Sequence, residues 1–191
     1  AMMKSVSLLQ QSSFDEISEI INNALKLGTD NNFGYDYVKD FEKRFEIKAR
    51  DPVTTGWVHM DNICKGGLGR GELGVVIAPT GAGKSMALVH LGAAALKEGK
   101  VVIHYTLELQ DTSIGIRYDS CLTGIPINET FSFKDMIYER VQDLEGQLII
   151  KEYPTKSAST NTIKNHLEKL RQKDINVDMI IVDYGDLLRP K

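Results

Sequence analysis

Residues 78–85, with the sequence APTGAGKS, constrain the fold of this chain more than any other segment. An apolar stretch precedes them at 74–77, and a helix-forming stretch follows at 86–96. A strand, a glycine-rich turn ending in Gly-Lys-Ser and a helix together form a P-loop. The backbone N–H groups of such a turn and the N-terminus of its helix surround phosphate groups. The segment therefore predicts a site for a nucleoside triphosphate and Mg²⁺.

The predicted nucleotide-binding residues are those of the turn and of the start of its helix: Pro79, Thr80, Gly81, Ala82, Gly83, Lys84, Ser85 and Met86. We expect Lys84 to reach the β and γ phosphates and so to act in catalysis, and the Ser85 hydroxyl to ligate Mg²⁺. Ala78 stands where P-loops usually begin with glycine. We expect this departure to be tolerated, because the residues that face the phosphates come later in the turn.

Composition narrows the class of protein. The 191 residues suit about one domain, and a hydrophobic content of 42 % is enough for a core. The net charge of -3 gives no overall basic signature for nucleic-acid binding, although it does not exclude a local basic surface. Cys64 and Cys121 form no CxxC pair and are expected to be free thiols. No apolar run approaches the roughly 20 residues of a membrane span, so we expect a soluble cytoplasmic protein without a membrane partner.

Short apolar stretches alternate with amphipathic ones through residues 51–191. We expect strands at 74–78, 101–106, 147–150 and 179–182, and helices at 86–96, 111–124, 132–146 and 160–170, the last capped by Ser159 or Thr160. This alternation predicts an α/β fold with a parallel central sheet that helices cover on both faces.

Residues 1–50 are expected to form a linker with one amphipathic helix at about 13–27. Ser13 and Glu16 have the spacing of a capping box, and apolar residues then recur at helical intervals as far as Gly28. The apolar face of a single helix needs a partner. Two partners remain possible, the helix's own domain and a neighbouring subunit.

Two carboxylates are expected at the carboxyl ends of strands, where parallel sheets bind ligands. Asp183 follows four apolar residues, which is the Walker B arrangement, and it is predicted to hold Mg²⁺ through water. Glu108 comes directly after the strand at 101–106. A carboxylate there can orient and polarise the water that attacks the γ-phosphate, so Glu108 is a candidate catalytic residue. An exposed loop glutamate is the alternative.

Several of these motifs together resemble the ATPase domain of the DnaB family of hexameric replicative helicases. The resemblance covers about residues 51–188 and is carried by Thr55-Gly56-Trp57, the run 66–73, the P-loop, Tyr105-Thr106-Leu107-Glu108-Leu109, Arg117 and Val182-Asp183-Tyr184. The sequences around Glu108 and Asp183 are similar to a phage or plasmid branch of the family.

The resemblance implies a RecA-like core preceded by a linker helix, subunits in a homohexameric ring, and ATP sites between subunits. Lys84 and Ser85 match the P-loop positions, Asp183 the Walker B position and Glu108 the catalytic glutamate. Arg117 matches a supporting arginine, for which a surface ion pair is the alternative, and Asp186 replaces a common glutamine. Implied partners are single-stranded DNA, further copies of the chain, primase and other replisome proteins. The linker helix would join an N-terminal domain and pack on the adjacent subunit.

The DNA-binding loops and the arginine finger of RecA-like rings lie beyond the Walker B strand. By this resemblance, residues 51–191 are part of a C-terminally truncated ATPase domain. We expect ATP hydrolysis and DNA unwinding in the intact parent, and weak or absent ATP turnover by this chain alone.

Two alternative functions remain open at this point. A RecA-, RadA- or KaiC-type ATPase shares the P-loop and the glycine run, but such proteins more often have serine after the Walker B aspartate, whereas this chain has Tyr184. A non-catalytic helicase loader or regulator would also bind a nucleotide. Glu108 argues against that second alternative, because a protein that only binds has no need of a carboxylate that activates water.

Overall fold

The computed structural model describes residues 34–46 and 50–189. The chain divides into two compact units, Ala1–Lys48 and Ala49–Lys191. The helix expected at 13–27 lies outside the described residues, and the domain boundary near residue 50 stays a prediction.

The described part of the first unit is a series of turns that ends in a 3-10 helix, Glu42–Arg44. The Arg44 guanidinium lies 4.2 Å from the ring centroid of Tyr37 and 4.5 Å from that of Phe41. The rings of Phe41 and Phe45 are 5.1 Å apart. Cation–π and aromatic contacts therefore hold this short segment together.

The second unit is built on three parallel strands: β1 (Val101–Thr106), β2 (Gln147–Glu152) and β3 (Met179–Asp183), in the order β2-β1-β3. The helices are α1 (Val58–Ile63), α2 (Lys84–Lys97), α3 (Asp111–Thr123), α4 (Lys134–Val141) and α5 (Thr160–Arg171), with 3-10 helices at Ile127–Phe133 and Gly185–Leu187. Helices lie in the crossovers between the strands, as parallel pairing requires. The predicted α/β fold with a parallel sheet is confirmed.

The central strand β1 separates two hydrophobic cores. On one face, Val102 packs in a cluster with side chains of α2, α3 and β3. On the other face, Ile103 and Tyr105 pack in a cluster with side chains of α5. Helices thus cover both faces, which is why five of the six residues of β1 are buried.

The strand predicted at 74–78 is not formed. Within the described residues this segment has no ladder partner, and Ile77 is 89 % exposed. A strand is stabilised mainly by pairing with its neighbours and by burial of one face, so apolar composition alone does not create one. The sheet of the described chain accordingly has three strands, where the sequence predicted four.

Several element boundaries also differ from the prediction. Helix α1 was missed, and the helix expected at 132–146 is the shorter α4, which follows directly on the 3-10 helix Ile127–Phe133. The N-cap of α5 is Ser159, whose hydroxyl accepts a hydrogen bond from the Thr162 N–H, while the Thr162 hydroxyl accepts one from the Ser159 N–H. Among the described residues, no helix is long and apolar enough to cross a membrane.

Candidate nucleotide-binding site

The P-loop turn has the backbone that its glycines permit. Gly81 and Gly83 have φ values of 80° and 93°, and a Cβ on either would meet no atom within 4 Å. Conformation rather than space therefore explains the need for glycine at these two positions. The turn is closed by a hydrogen bond of 3.2 Å from the Ala82 N–H to the Pro79 carbonyl, and Gly83 is the N-cap of α2.

The Lys84 ammonium folds back over this turn. Its Nζ donates to the carbonyls of Ala78 and Pro79, at 3.0 and 3.2 Å. Ser85 is half-buried and Met86 is 39 % exposed. The first N–H groups of a helix have no intrahelical partner, so the start of α2 presents donors and a positive dipole end beside the lysine. The predicted P-loop residues form one continuous site that suits an anion, and Pro79, Thr80, Gly81, Ala82 and Gly83 are exposed there.

Asp183 is the last residue of β3 and is only 2 % exposed. Its partner in register on β1 is Thr106. Side chains alternate along a strand, so Asp183 shares the face of Ile181, which belongs to the cluster with α2 and α3. The carboxylate therefore faces the layer that contains the P-loop helix.

Glu108 lies two residues beyond the end of β1, and its side chain is exposed. The backbone around it is fixed from two sides. The Leu107 N–H donates to the Asp183 carbonyl at 2.9 Å, and the Thr155 hydroxyl donates to the Leu107 carbonyl at 2.9 Å. The structure thus brings the segment of Glu108 to the end of β3, where Asp183 lies.

The two halves of the candidate site are joined by packing. Within residues 34–46 and 50–189, no hydrogen bond or ion pair connects Lys84 or Ser85 with Glu108 or Asp183. Helix α2 packs on β3 instead, and a Cβ at Gly92 would lie 3.0 Å from Cδ1 of Ile181. The P-loop helix is therefore held against the strand that ends in Asp183.

Magnesium fits the donors that this region offers. In the described part of the chain, no group of three or more His, Cys, Asp or Glu side chains could form an all-protein metal cage. Mg²⁺ does not need such a cage, because it keeps several waters and binds through one or two protein oxygens together with substrate phosphates. The hydroxyl of Ser85 and the buried carboxylate of Asp183 are donors of this kind.

Residues 54–61 form a hydrogen-bonded turn that packs against the P-loop helix α2 through Trp57. The Asp61 carboxylate accepts hydrogen bonds from the Thr54 hydroxyl (2.5 Å) and from the hydroxyl and N–H of Thr55 (2.7 and 2.8 Å). These bonds hold the pKa of Asp61 below its usual value. The Trp57 ring stacks on His90 of α2, with centroids 4.4 Å apart. The Thr55-Gly56-Trp57 motif therefore packs on the helix that begins at Lys84.

Sequence reasoning missed a buried polar pair on the same face of the sheet. His104 of β1 and Tyr118 of α3 are both buried, and the imidazole Nδ1 lies 3.0 Å from the Tyr118 hydroxyl. Burial lowers the pKa of His104 to about 4, against the opposing effect of the Asp183 charge, and burial raises the pKa of Tyr118. A histidine inside an otherwise apolar strand was the available signal.

Two residues singled out by the resemblance lie at the margins of the site. Arg117 is half-buried on α3, next in sequence to Tyr118, and has no ion pair within the residues that the structure describes. The surface ion pair considered for it is therefore not observed. Asp186 is exposed in the 3-10 helix Gly185–Leu187 that follows β3.

Comparison with known families agrees with this arrangement. The sequence profile of the DnaB-like helicase C-terminal domain matches residues 52–191. The chain belongs to this family. Its α/β unit with the parallel sheet is accordingly a RecA-like fold. Membership favours the helicase interpretation over the RecA-, RadA- or KaiC-type ATPase and over the loader or regulator.

The chain is similar to replicative helicases from a phage and from a bacterium. It is 31 % identical over 180 residues to the DnaB-like replicative helicase of Enterobacteria phage T4, covering 88 % of this chain and 38 % of the phage protein. Two Helicobacter pylori replicative DNA helicases, named DnaB, are each 23 % identical to this chain over 180 residues. Each match covers 92 % of this chain, and the matches cover 34 % and 35 % of the two bacterial proteins. The chain thus spans little more than a third of the curated relatives that it matches.

Proposed function

We propose that residues 51–191 belong to an ATP-hydrolysing motor domain of a DnaB-like replicative helicase. The single observation that carries the proposal is the hydrogen bond of 2.9 Å from the Leu107 N–H to the Asp183 carbonyl. This bond joins the segment that contains the Glu108 carboxylate to Asp183, the residue that supplies the second carboxylate. Hydrolysis of a nucleoside triphosphate needs both, one for the metal and one for the water.

The P-loop residues 79–86 bind the triphosphate in this proposal. Backbone N–H groups of the turn and of the start of α2 surround the β and γ phosphates, and Gly81 and Gly83 permit the necessary backbone. Lys84 exchanges its carbonyl partners for phosphate oxygens, which supplies charge where the reaction develops it. Ser85 and Asp183 hold the magnesium ion, which when bound neutralises charge on the phosphates.

Glu108 orients and polarises the attacking water. Its exposure lets water and substrate reach the carboxylate, while the bonds to Leu107 on either side limit where the backbone can move. A carboxylate on a fixed backbone loses little freedom when the substrate arrives, and that favours the reaction. Arg117, without an ion pair among the described residues, is available for a supporting contact to the substrate or to a neighbouring subunit.

Assembly and DNA binding extend the proposal to the whole protein. The relatives are replicative helicases by name, and we propose that the parent of this chain forms a homohexameric ring in the cytoplasm, translocates on single-stranded DNA and contacts primase and other replisome proteins. The residues before the motor domain, with the helix expected at 13–27, form the linker in this proposal. The net charge of -3 means that DNA would meet a local basic surface rather than a globally basic protein.

Nucleotide binding tests the P-loop assignment. Lys84→Ala should abolish binding of a fluorescent ATP analogue in the presence of Mg²⁺, since it removes the cation nearest the turn. Lys97→Ala is the matched control, because Lys97 is an exposed lysine at the far end of the same helix. Equal binding by both variants would contradict the assignment.

Hydrolysis tests the catalytic assignment. Glu108→Gln should keep binding of Mg²⁺-ATP and slow phosphate release by about 10²- to 10⁴-fold, the usual loss for a general base. Glu168→Gln, an exposed glutamate of α5, is the control. Release of radiolabelled phosphate from ATP, followed over hours under single-turnover conditions, is sensitive enough to detect weak activity. Undiminished turnover in Glu108→Gln would show that another group activates the water.

A further inference from the structure

His104 occupies an unusual position for a polar side chain. It lies in the central strand β1, is fully buried, and pairs in register with Ile181 of β3. Asp183 is two residues further along β3 on the same face of the sheet. Strand spacing and rise put such diagonal neighbours about 8 Å apart at their Cα atoms, a span that an imidazole and a carboxylate extended toward each other can close, although no hydrogen bond joins the two side chains among the described residues.

A hydrogen bond to Tyr118 engages one of the two imidazole nitrogens of His104. The Tyr118 hydroxyl lies 3.0 Å from Nδ1 and can donate or accept there; where it donates, the imidazole proton resides on Nε2. Within the described residues, Nε2 is buried and has no hydrogen-bond partner. A buried N–H group without a partner is costly, and the negative charge of Asp183 favours this tautomer.

We propose that His104 is a positioning residue for Asp183, with its Nε2–H directed at the carboxylate so that one oxygen stays oriented toward the magnesium ion. The proposal rests on the proposed function, since it takes Asp183 as the metal ligand. Tyr118 fixes the imidazole from the opposite side. Outer-shell partners of this kind set the direction of ligand lone pairs and thereby the affinity for the ion.

Tyr118 also ties this pair to the P-loop helix. Gly92 of α2 has no side chain, and a Cβ there would overlap the Tyr118 hydroxyl. The phenol therefore lies directly on the backbone of the helix that begins with Lys84 and Ser85. The pair thus contacts the P-loop helix on one side and faces the end of β3 on the other.

The chain contains a matched control pair on the opposite face of the same strand. Tyr105 follows His104, and its hydroxyl lies 2.9 Å from Nδ1 of His166 on α5. This pair has the same chemistry, but it belongs to the cluster on the other face of the sheet, away from α2 and α3. Tyr105→Phe therefore removes a tyrosine–histidine hydrogen bond without touching the face of Asp183.

The first test is NMR of the metal-free chain. Nitrogen-15 spectra of the imidazoles, with the His104 signals assigned by comparison with His104→Gln, should show the Nε2–H tautomer at His104. Asp183→Asn should shift these signals, and Glu168→Gln should not. The Nδ1–H tautomer, or signals unaffected by Asp183→Asn, would overturn the proposal without bearing on nucleotide binding.

The second test is the Mg²⁺ concentration that half-saturates binding of a fluorescent ADP analogue. His104→Phe should raise it about 10-fold, the lower end of the usual loss for an outer-shell partner, while binding in EDTA stays unchanged. Tyr118→Phe should raise it less, and His104→Gln should restore part of the loss because the amide supplies an N–H near the position of Nε2. Tyr105→Phe should leave it unchanged.

Thermal melts of all variants separate stability from metal affinity. If the Mg²⁺ requirement of Tyr105→Phe rises as much as those of Tyr118→Phe and His104→Phe, the effect is structural and the proposal is wrong. If His104→Phe does not fold, the Mg²⁺ requirements of Tyr118→Phe and His104→Gln are compared with that of Tyr105→Phe instead. Equal requirements would again show that the effect is structural and that the proposal is wrong. If wild-type binding of the nucleotide does not depend on Mg²⁺, the metal role of Asp183 fails first and this inference fails with it.

Discussion

The Thr106 hydroxyl holds both backbone polar atoms of Leu109, donating to the carbonyl at 2.7 Å and accepting from the N–H at 3.2 Å. These two bonds close a turn that contains Glu108 at the end of β1. Thr106 is itself buried and is the partner of Asp183 in register. One threonine therefore sets the path of the chain that presents the candidate catalytic carboxylate.

Thr106→Val should slow ATP hydrolysis by about 10- to 100-fold, since a displacement of about 1 Å in a catalytic group costs that much. Valine keeps the shape of threonine but removes both bonds to Leu109, so the turn around Glu108 loosens. Nucleotide affinity should change little, because the P-loop is untouched. Thr106→Ser keeps the hydroxyl and should retain most of the activity. Equal rates for the two variants would mean that the turn does not position Glu108.

Gly92→Ala and Gly115→Ala should change stability in opposite directions, although both replace a helical glycine. At Gly92 a methyl group would overlap Tyr118, so overpacking should lower the free energy of unfolding by about 1–3 kcal/mol. At Gly115 the nearest atom, Cδ1 of Ile150, is 3.9 Å away, so alanine should stabilise the helix by about 0.5–1 kcal/mol. Urea unfolding of both variants measures the difference, and a stable Gly92→Ala would contradict the close packing of Tyr118.

The parts of the site predicted from sequence are those that local chemistry determines. The turn at 79–85 depends on glycines at two positive φ values and on the helix that follows, all within a short stretch of chain. The end of β3 at Asp183 follows from an apolar run that stops at a charged residue. The capping box of α5 is local as well, which is why Ser159 was one of two expected caps.

The parts that could not be predicted depend on which strands are neighbours. His104 is informative because β1 lies beside β3 and α3 covers the same face, and neither fact is visible in the sequence around it. The failed strand at 74–78 has the same cause, because an apolar segment becomes a strand only through a partner. Helix α1 was missed because its residues lack a helical apolar period. The contacts of Asp61 to Thr54 and Thr55 were not predicted either, because they form only in the folded turn.

Arg50→Lys should loosen the loop that leads toward the P-loop segment. The Arg50 guanidinium donates to the carbonyls of Cys64, Lys65 and Gly67 and pairs with Glu72 at 2.7 Å. A lysine has three donors on one atom and cannot span these positions. A loss of about 1 kcal/mol in local stability would speed amide hydrogen exchange about fivefold.

Mass spectrometry of peptides covering 64–72 measures that exchange. Arg70→Lys is the control, since Arg70 is an exposed arginine of the same loop without an ion pair in the described residues. Unchanged exchange in Arg50→Lys would show that the backbone of the loop holds its shape without the guanidinium.

Acid should destabilise the wild-type chain through His104. Its pKa falls from an ordinary 6.5 to about 4 on folding, because burial disfavours the charged imidazole. Between these values the unfolded chain binds a proton that the folded chain does not, so the unfolding free energy declines as pH drops from 6.5 to 4. The full effect is about 3 kcal/mol. Above pH 6.5 both states are neutral at this residue and the contribution is constant.

Urea unfolding at several pH values checks this prediction, with His104→Phe as the reference that lacks the imidazole. The difference in unfolding free energy between wild type and variant should be flat above pH 6.5 and should shift against the wild type below it. His166 provides an internal comparison, since burial and the nearby charges of Lys151 and Lys169 also lower its pKa, and His166→Phe removes that smaller contribution. Parallel pH curves for wild type and His104→Phe would show that folding leaves the pKa of His104 unchanged, as it would if the charge of Asp183 stabilised the imidazolium as much as burial disfavours it.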